Sequence, residues 1–265
     1  MLHSFIFLSL FALAFCTIDL EKALVEAFFN ETYPETAESF LPEGVSIRKC
    51  TKPDVVALTV DDGPYVSMAE LLKTLDLFPD QKLTFFVTGV RYKNTTHNPN
   101  NPKLIEQAIS KGHDIAHHSY GHQNYVTMPE EMMKQDFQKM DKILSGINGS
   151  SKVFRPPFGN INAAVKQYVE SFGYQIVSWS ADSFDWKIYS GSQPLESLAH
   201  VTQGMCNQDI ILMHDTHKRS PDVLKSLLTQ FAARKLRSVS ISECLGDNVV
   251  HKYKTNGQQT YVRRP

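Results

Sequence analysis

From about residue 50 onward, short apolar runs alternate with longer stretches whose apolar residues recur at helical spacing. The runs fall at 55–60 (VVALTV), 83–88 (LTFFVT), 113–116, 152–155, 175–180 (QIVSWS), 209–213 (DIILM) and 237–242, and they predict buried strands. Between them the spacing predicts helices near 67–78, 102–111, 129–145, 161–171, 194–205 and 221–234. Strand, helix, strand repeated this often predicts an α/β fold with a parallel sheet, closed as a barrel or open and doubly wound. In either arrangement, reactive groups belong at the C-terminal ends of the strands.

The N-terminal residues 1–16 (MLHSFIFLSLFALAFC) form an apolar run too short for a bilayer span and read as a signal peptide. Residues 17–50 read as a lead-in, with Leu20, Ala23, Leu24, Ala27 and Phe28 spaced for a helix packed on the outside of the domain. No linker or repeat interrupts the rest, so residues 51–265 are expected to form one domain. A secreted or cell-wall protein without a membrane span is the consequence.

With 42% hydrophobic residues in 265, the chain can fill one large core, and its formal charge of −1 offers no basic excess for nucleic acid. A polymeric partner should therefore carry little charge. Loss of Cys16 with the signal peptide leaves Cys50, Cys206 and Cys244, hence at most one bridge. Cys50 precedes the first core strand and Cys244 follows the last, so their pairing would tie the ends of the domain and leave Cys206 as a buried apolar thiol. The sequons at Asn30, Asn94 and Asn148 are glycosylation candidates that fit an extracytoplasmic surface.

Candidate chemistry gathers just after the apolar runs. Asp61 and Asp62 end the first, HHSYGH (117–122) follows the third, RPPFG (155–159) the fourth, ADSFDW (181–186) the fifth and HD (214–215) the sixth. His118 and His122 can face one side of a turn and, with one carboxylate, leave coordination positions open as catalytic zinc needs. An isolated H-x-x-x-H is a weak signal. His117 then points elsewhere, and His113 reads as a core histidine.

Taken together, TVDDGP, HSYGH, RPPFG, DSFDW and LMH resemble the five motifs of the polysaccharide deacetylase family over roughly residues 50–245. These carbohydrate esterases include chitin deacetylases, peptidoglycan deacetylases and some acetylxylan esterases. The resemblance implies a distorted (β/α) barrel with about seven parallel strands. It implies a divalent metal, zinc or in some members cobalt, on Asp62, His118 and His122. It further implies Asp61 as general base with Arg155 orienting it, and His214 as general acid with Asp182 holding the imidazole. Pro156, Phe158, Trp186 and Leu212 would shape the substrate pocket, with the Phe158 backbone N–H aiding the oxyanion. The chemistry is consistent: a bound zinc lowers the pKa of water to about 7, and an amine leaves only once protonated.

Three positions depart from the usual motifs: Val60 for Phe, Gln123 where proline often follows, and Phe158 for Tyr. The polar loop 91–102 (RYKNTTHNPNNP) leaves the shape of the groove open. The implied activity is N-deacetylation of a chitin-like polymer or oligomer by a monomer. Peptidoglycan, xylan and a carbohydrate-binding relative without turnover are the alternatives. A zinc protease is set aside, because no H-E-x-x-H is present.

Overall fold

Strand β1 (Ala57–Gly63) lies inside the sheet, paired in parallel with β2 (Thr84–Val87) on one side and β7 (Ile210–His214) on the other. Covered on both faces, such a strand must be apolar along its length rather than alternating. Ala57, Leu58, Thr59 and Val60 are accordingly all buried. The computed structural model describes residues 46–93, 100–246 and 248–254; the expected signal peptide, most of the lead-in, and the sequons at Asn30 and Asn94 lie outside them.

The sheet continues through β3 (Asp114–His117), β4 (Val153–Phe154), β5 (Gln175–Ile176) and β6 (Ala181–Asp182), in the order β5-β4-β3-β2-β1-β7-β6. All six pairings are parallel. The two edge strands, β5 and β6, are joined by residues 177–180 alone. Five chain steps reach at most about 18 Å, so the edges must lie close together and the sheet curls toward closure. The gap is filled from the N-terminal side: Ile47 donates to the Ile176 carbonyl and accepts from Ser178 N–H, both at 2.8 Å, while Lys49 bridges to Asp209. Phe86, Ala116, Val153, Val177 and Ile210 meet in one buried cluster with Val239 and Ile241. That is how the inside of a curled sheet fills. The architecture is the expected one, a half-barrel of seven parallel strands with helices.

The longer helices pack against the sheet and one another. In α1 (Met68–Asp76) the buried residues are Met68, Leu71, Leu72 and Leu75, a single stripe of the kind that fixes a helix on a sheet. Each such side chain contributes roughly 2 kcal/mol by burial. A short α2 (Gly89–Lys93) follows β2, then α3 (Asn101–Ser110), α4 (Glu130–Ser145), α5 (Ala163–Ser171), α6 (Asp185–Tyr189), α7 (Leu198–Gln203), α8 (Ser220–Ala233) and α9 (Ile241–Leu245). No helix among the described residues is long and apolar enough to cross a membrane.

Two expectations need correction. The run 237–242 is not a sheet strand: Ser238 makes one isolated bridge to Val56, and at Ser240 the chain turns into α9. Ser240 is the N-cap, its hydroxyl accepting from Glu243 N–H, and S-x-x-E is a helix-start signature that outweighs the apolar run. The seventh strand is β6 instead. Cys50 and Cys244 are bridged as expected, across 194 residues of sequence. Cys206, however, is disulfide-bonded and not the leftover thiol the cysteine count suggested.

Candidate active site

Because every strand is parallel, all the C-terminal ends emerge on one rim, and the residues there come from five separate strands. At the end of β1 the register against β2 runs Asp61 to Phe86 and then Gly63 to Val87, so Asp62 is an extra, bulged residue. Its φ of +74° takes it out of the strand geometry. A bulge re-aims a side chain. Asp61 therefore stays with the sheet, beside His214 of β7, while Asp62 turns toward the loop after β3. Gly63 is required beyond the bulge, since a Cβ there would lie 2.6 Å from Asp215 Oδ2.

Asp61 is buried, with its Oδ1 2.7 Å from Arg155 Nη1 and its Oδ2 3.7 Å from His118 Nε2. Arg155 follows β4 and is wholly buried. Its other donations go to Thr59 Oγ1 at 2.6 Å, the Ser178 carbonyl at 2.9 Å and the Val177 carbonyl at 3.3 Å. Its guanidinium also lies over the Phe86 ring, 4.0 Å from the centroid. Burial pulls the Arg155 pKa down, and Asp61 opposes that. The residues joining the sheet edges thus hold the arginine that holds Asp61.

Asp62, His118 and His122 converge, with one ligand atom from each lying within 4.8 Å of the others. Asp62 Oδ1 is 2.9 Å from His122 Nε2 and 3.3 Å from His118 Nε2. His118 Nδ1 lies 2.8 Å from the Arg155 carbonyl. A carbonyl only accepts, so this nitrogen carries the hydrogen, and in the neutral ring Nε2 presents a lone pair to Asp62. Asp62 Oδ1 is buried and has no hydrogen-bond partner. Electron pairs converging without a donor suit a cation, and two imidazoles with one carboxylate suit a borderline divalent ion. Burial pushes the Asp62 carboxyl up, but the two histidines overcome it and hold it far below the usual carboxylate range. Burial lowers the His118 pKa, and Asp61 and Asp62 more than restore it, for a net rise.

At the end of β7, the partner of His214 is Asp185 and not Asp182. Asp185 Oδ1 is 2.9 Å from His214 Nδ1, and Asp185 Oδ2 accepts from the His214 backbone N–H at 2.5 Å. Asp182 ends β6 and its Oδ1 accepts from Phe184 N–H at 2.7 Å instead. Phe184 has a φ of +53°, and this left-handed step swings Asp185, the first residue of α6, back against β7. Burial opposes charging of His214, yet Asp185 carries its pKa up to about 10, with help from Asp62 and Asp61. Asp182 is pushed up by burial to about 6. Asp215, fully buried beside the β1 turn, is pushed up by burial to about 7.

The pocket candidates divide. Leu212 and Pro156 are buried, whereas Trp186 and Phe158 are among the exposed large hydrophobics. The Phe158 ring packs edge-on against His122, with centroids 4.8 Å apart, and its φ is +61°. Asp62, Ser119, His122, Phe158 and Phe184 all have positive φ. Each such non-glycine residue costs on the order of 1 kcal/mol, and their concentration at one rim marks a strained functional edge. His113 is a core residue, its Nδ1 accepting from Leu83 N–H at 3.2 Å. Asn148 is exposed on the turn after α4. Sequence reasoning missed Asp185, Thr59 and Ser119 as partners within this constellation, although all three stand inside or beside the quoted motifs.

A family model for polysaccharide deacetylase matches residues 48–177, stopping short of Asp185 and His214. A probable peptidoglycan-N-acetylglucosamine deacetylase of Arthroderma benhamiae is 30% identical over 85% of this chain, which spans only 52% of that relative. The peptidoglycan-N-acetylglucosamine deacetylase of Bacillus cereus is 32% identical, covering 72% of this chain and 88% of the relative. The structure of the chitin deacetylase from Colletotrichum lindemuthianum matches with a TM-score of 0.69 and 25% identity, over 83% of this chain and all of that one. The chain belongs to the polysaccharide deacetylase family.

Proposed function

We propose that the protein is a secreted, zinc-dependent deacetylase that hydrolyses N-acetyl groups of N-acetylglucosamine polymers, with chitin or chitooligosaccharides as substrate. The observation that carries this reading is the constellation itself: three electron-pair donors at the rim, the Asp61–Arg155 pair beside them and the Asp185–His214 pair at the end of the neighbouring strand β7. Relatives named for chitin and for peptidoglycan support the substrate class. The formal charge of −1 and the exposed Phe158 and Trp186 favour an uncharged glycan with apolar ring faces. The Cys50–Cys244 bridge supports an oxidising compartment.

A divalent ion on Asp62, His118 and His122 would polarise the acetyl carbonyl and acidify a water. Asp61, oriented by Arg155, takes the proton of the attacking water as oxygen bonds to the carbonyl carbon. His214, its Nδ1–H held by Asp185, gives a proton from Nε2 to the amide nitrogen as the C–N bond breaks. The products are acetate and a free amine. Its raised pKa keeps His214 protonated at neutral pH, which suits an acid. The backbone N–H of Phe158 assists at the oxyanion.

The test is acetate release from chitooligosaccharides and, in parallel, from peptidoglycan fragments, by protein stripped of metal and then reloaded with zinc. Release from chitooligosaccharides that depends on zinc is expected. Activity on peptidoglycan alone would move the substrate, and none on either by loaded, folded protein would refute deacetylation.

A further inference from the structure

In the loop carrying the second histidine of the metal trio, the backbone N–H groups of residues 119–122 are all received by side chains. Ser119 N–H donates to His117 Nδ1 at 3.0 Å, and His122 N–H donates to Ser119 Oγ at 2.8 Å. Between them, Tyr120 and Gly121 N–H donate to the two oxygens of Asp136, each at 2.8 Å. Ser119 and His122 both have positive φ, +69° and +53°, so this backbone needs outside restraint.

The carbonyls of Ser119 and Tyr120 accept from Gly89 and Val90 N–H of α2, at 3.2 and 2.9 Å, but the N–H groups of Tyr120 and Gly121 depend on α4. Asp136 is on α4, and its Oδ1 also accepts from the buried Tyr125 hydroxyl at 2.7 Å. The carboxylate approaches so closely that a Cβ at Gly121 would lie 2.9 Å from Asp136 Oδ2. His117, wholly buried at the end of β3, has its Nε2 3.1 Å from the carbonyl of Phe137, the next residue of α4. That carbonyl can only accept, so Nε2 carries the hydrogen and Nδ1 is left as the acceptor that Ser119 N–H needs.

The geometry points to Asp136 and His117 as positioning residues of the metal centre, which together fix residues 119–122 so that His122 meets Asp62 and His118. This rests on the reading of Asp62, His118 and His122 as ligands of a divalent ion. Groups behind a ligand that orient it are worth about 10- to 100-fold in metal affinity. Asp136→Asn keeps the shape but turns one acceptor oxygen into an NH₂ facing an N–H. His117→Gln removes the fixed imidazole that joins Ser119 to α4.

The measurements are zinc affinity, by competition with a chromophoric chelator, and the visible absorption of the cobalt(II)-loaded protein. The control is Asp141→Asn on the same helix, where the carboxylate accepts from the Tyr174 and Tyr253 hydroxyls and from no N–H of residues 119–122. Asp136→Asn and His117→Gln should each lose about 10- to 100-fold in zinc affinity and shift the cobalt spectrum. Asp141→Asn should lower Tm and change neither. If Asp136→Asn does not fold, Tyr125→Phe, which removes a single donor to Asp136, takes its place and should weaken zinc binding less than His117→Gln does. Wild-type zinc affinity and an unchanged cobalt spectrum in the folded variants, whatever their Tm, would overturn the inference. Wild-type protein that binds neither metal would instead overturn the ligand assignment beneath it.

Discussion

Adjacent aspartates would ordinarily raise each other's pKa, and the β1 bulge separates them by giving each its own counter-charges. Asp61 meets Arg155, and Asp62 meets two histidines. Asp62→Asn should therefore lose metal affinity by more than the roughly 10- to 100-fold typical of groups behind a ligand. Asp61→Asn should retain metal and lose about 10²- to 10⁴-fold in kcat, the usual worth of a general base. Equilibrium dialysis with metal analysis, paired with initial rates, separates the two; equal loss of metal in both would refute a division of roles. His214 sets the pH dependence. Its acid form persists below a pKa raised to about 10, so activity should fall as pH rises through the alkaline limb. A bound cation offsets the contributions of Asp62 and Asp61, which sets that limb between about 6.5 and 10. Asp185→Asn should move the limb toward lower pH in a kcat profile, and Asp182→Asn, whose carboxylate acts on His214 only through its charge, should move it less. The motif residues were legible in the sequence because their chemistry is local. The choice between Asp182 and Asp185 was not, because it depends on the left-handed step at Phe184, which has no sequence signal of its own.

Among the elements, long amphipathic helices and central strands could be read from periodicity. Helix α4, for example, buries Met133, Phe137, Met140 and Leu144 at the expected spacing. Short elements were another matter, since two or three apolar residues cannot distinguish a strand from a helical turn. The segment 237–242 shows what decides: it makes one bridge at Ser238, then the Ser240 cap commits it to α9. The cap hydrogen bond is long, 3.4 Å to Glu243 N–H. Ser240→Ala should accordingly cost about 0.5–1 kcal/mol, toward the lower end for a helix cap. Urea unfolding of the two proteins measures it, and a cost near zero would mean that the disulfide alone holds this helix in place.

At the scale of the molecule, the sheet is closed by chain connectivity rather than by a full ladder, because residues 177–180 cross between its edges and residues 47–49 fill the gap. Repeated strand and helix patterning left closed and open sheets equally available, since closure depends on which strands become edges. The Cys50–Cys244 bridge anchors the filling segment to α9, and Cys244 also accepts from Thr51 and Lys52 N–H. A cross-link enclosing so long a loop is worth about 2–4 kcal/mol, mostly by restricting the unfolded chain. The Cys50→Ser/Cys244→Ser double variant leaves Cys206 untouched and should lower Tm. Its effect in the native state should be local: hydrogen exchange should quicken at the amides of Ile47 and Ser178, whose bonds tie the filling segment to the crossing one. Zinc affinity should hold, because no ligand of the metal trio lies on either segment. Loss of zinc binding together with unchanged exchange at those two amides would show that the bridge supports the rim directly and not the closure of the sheet.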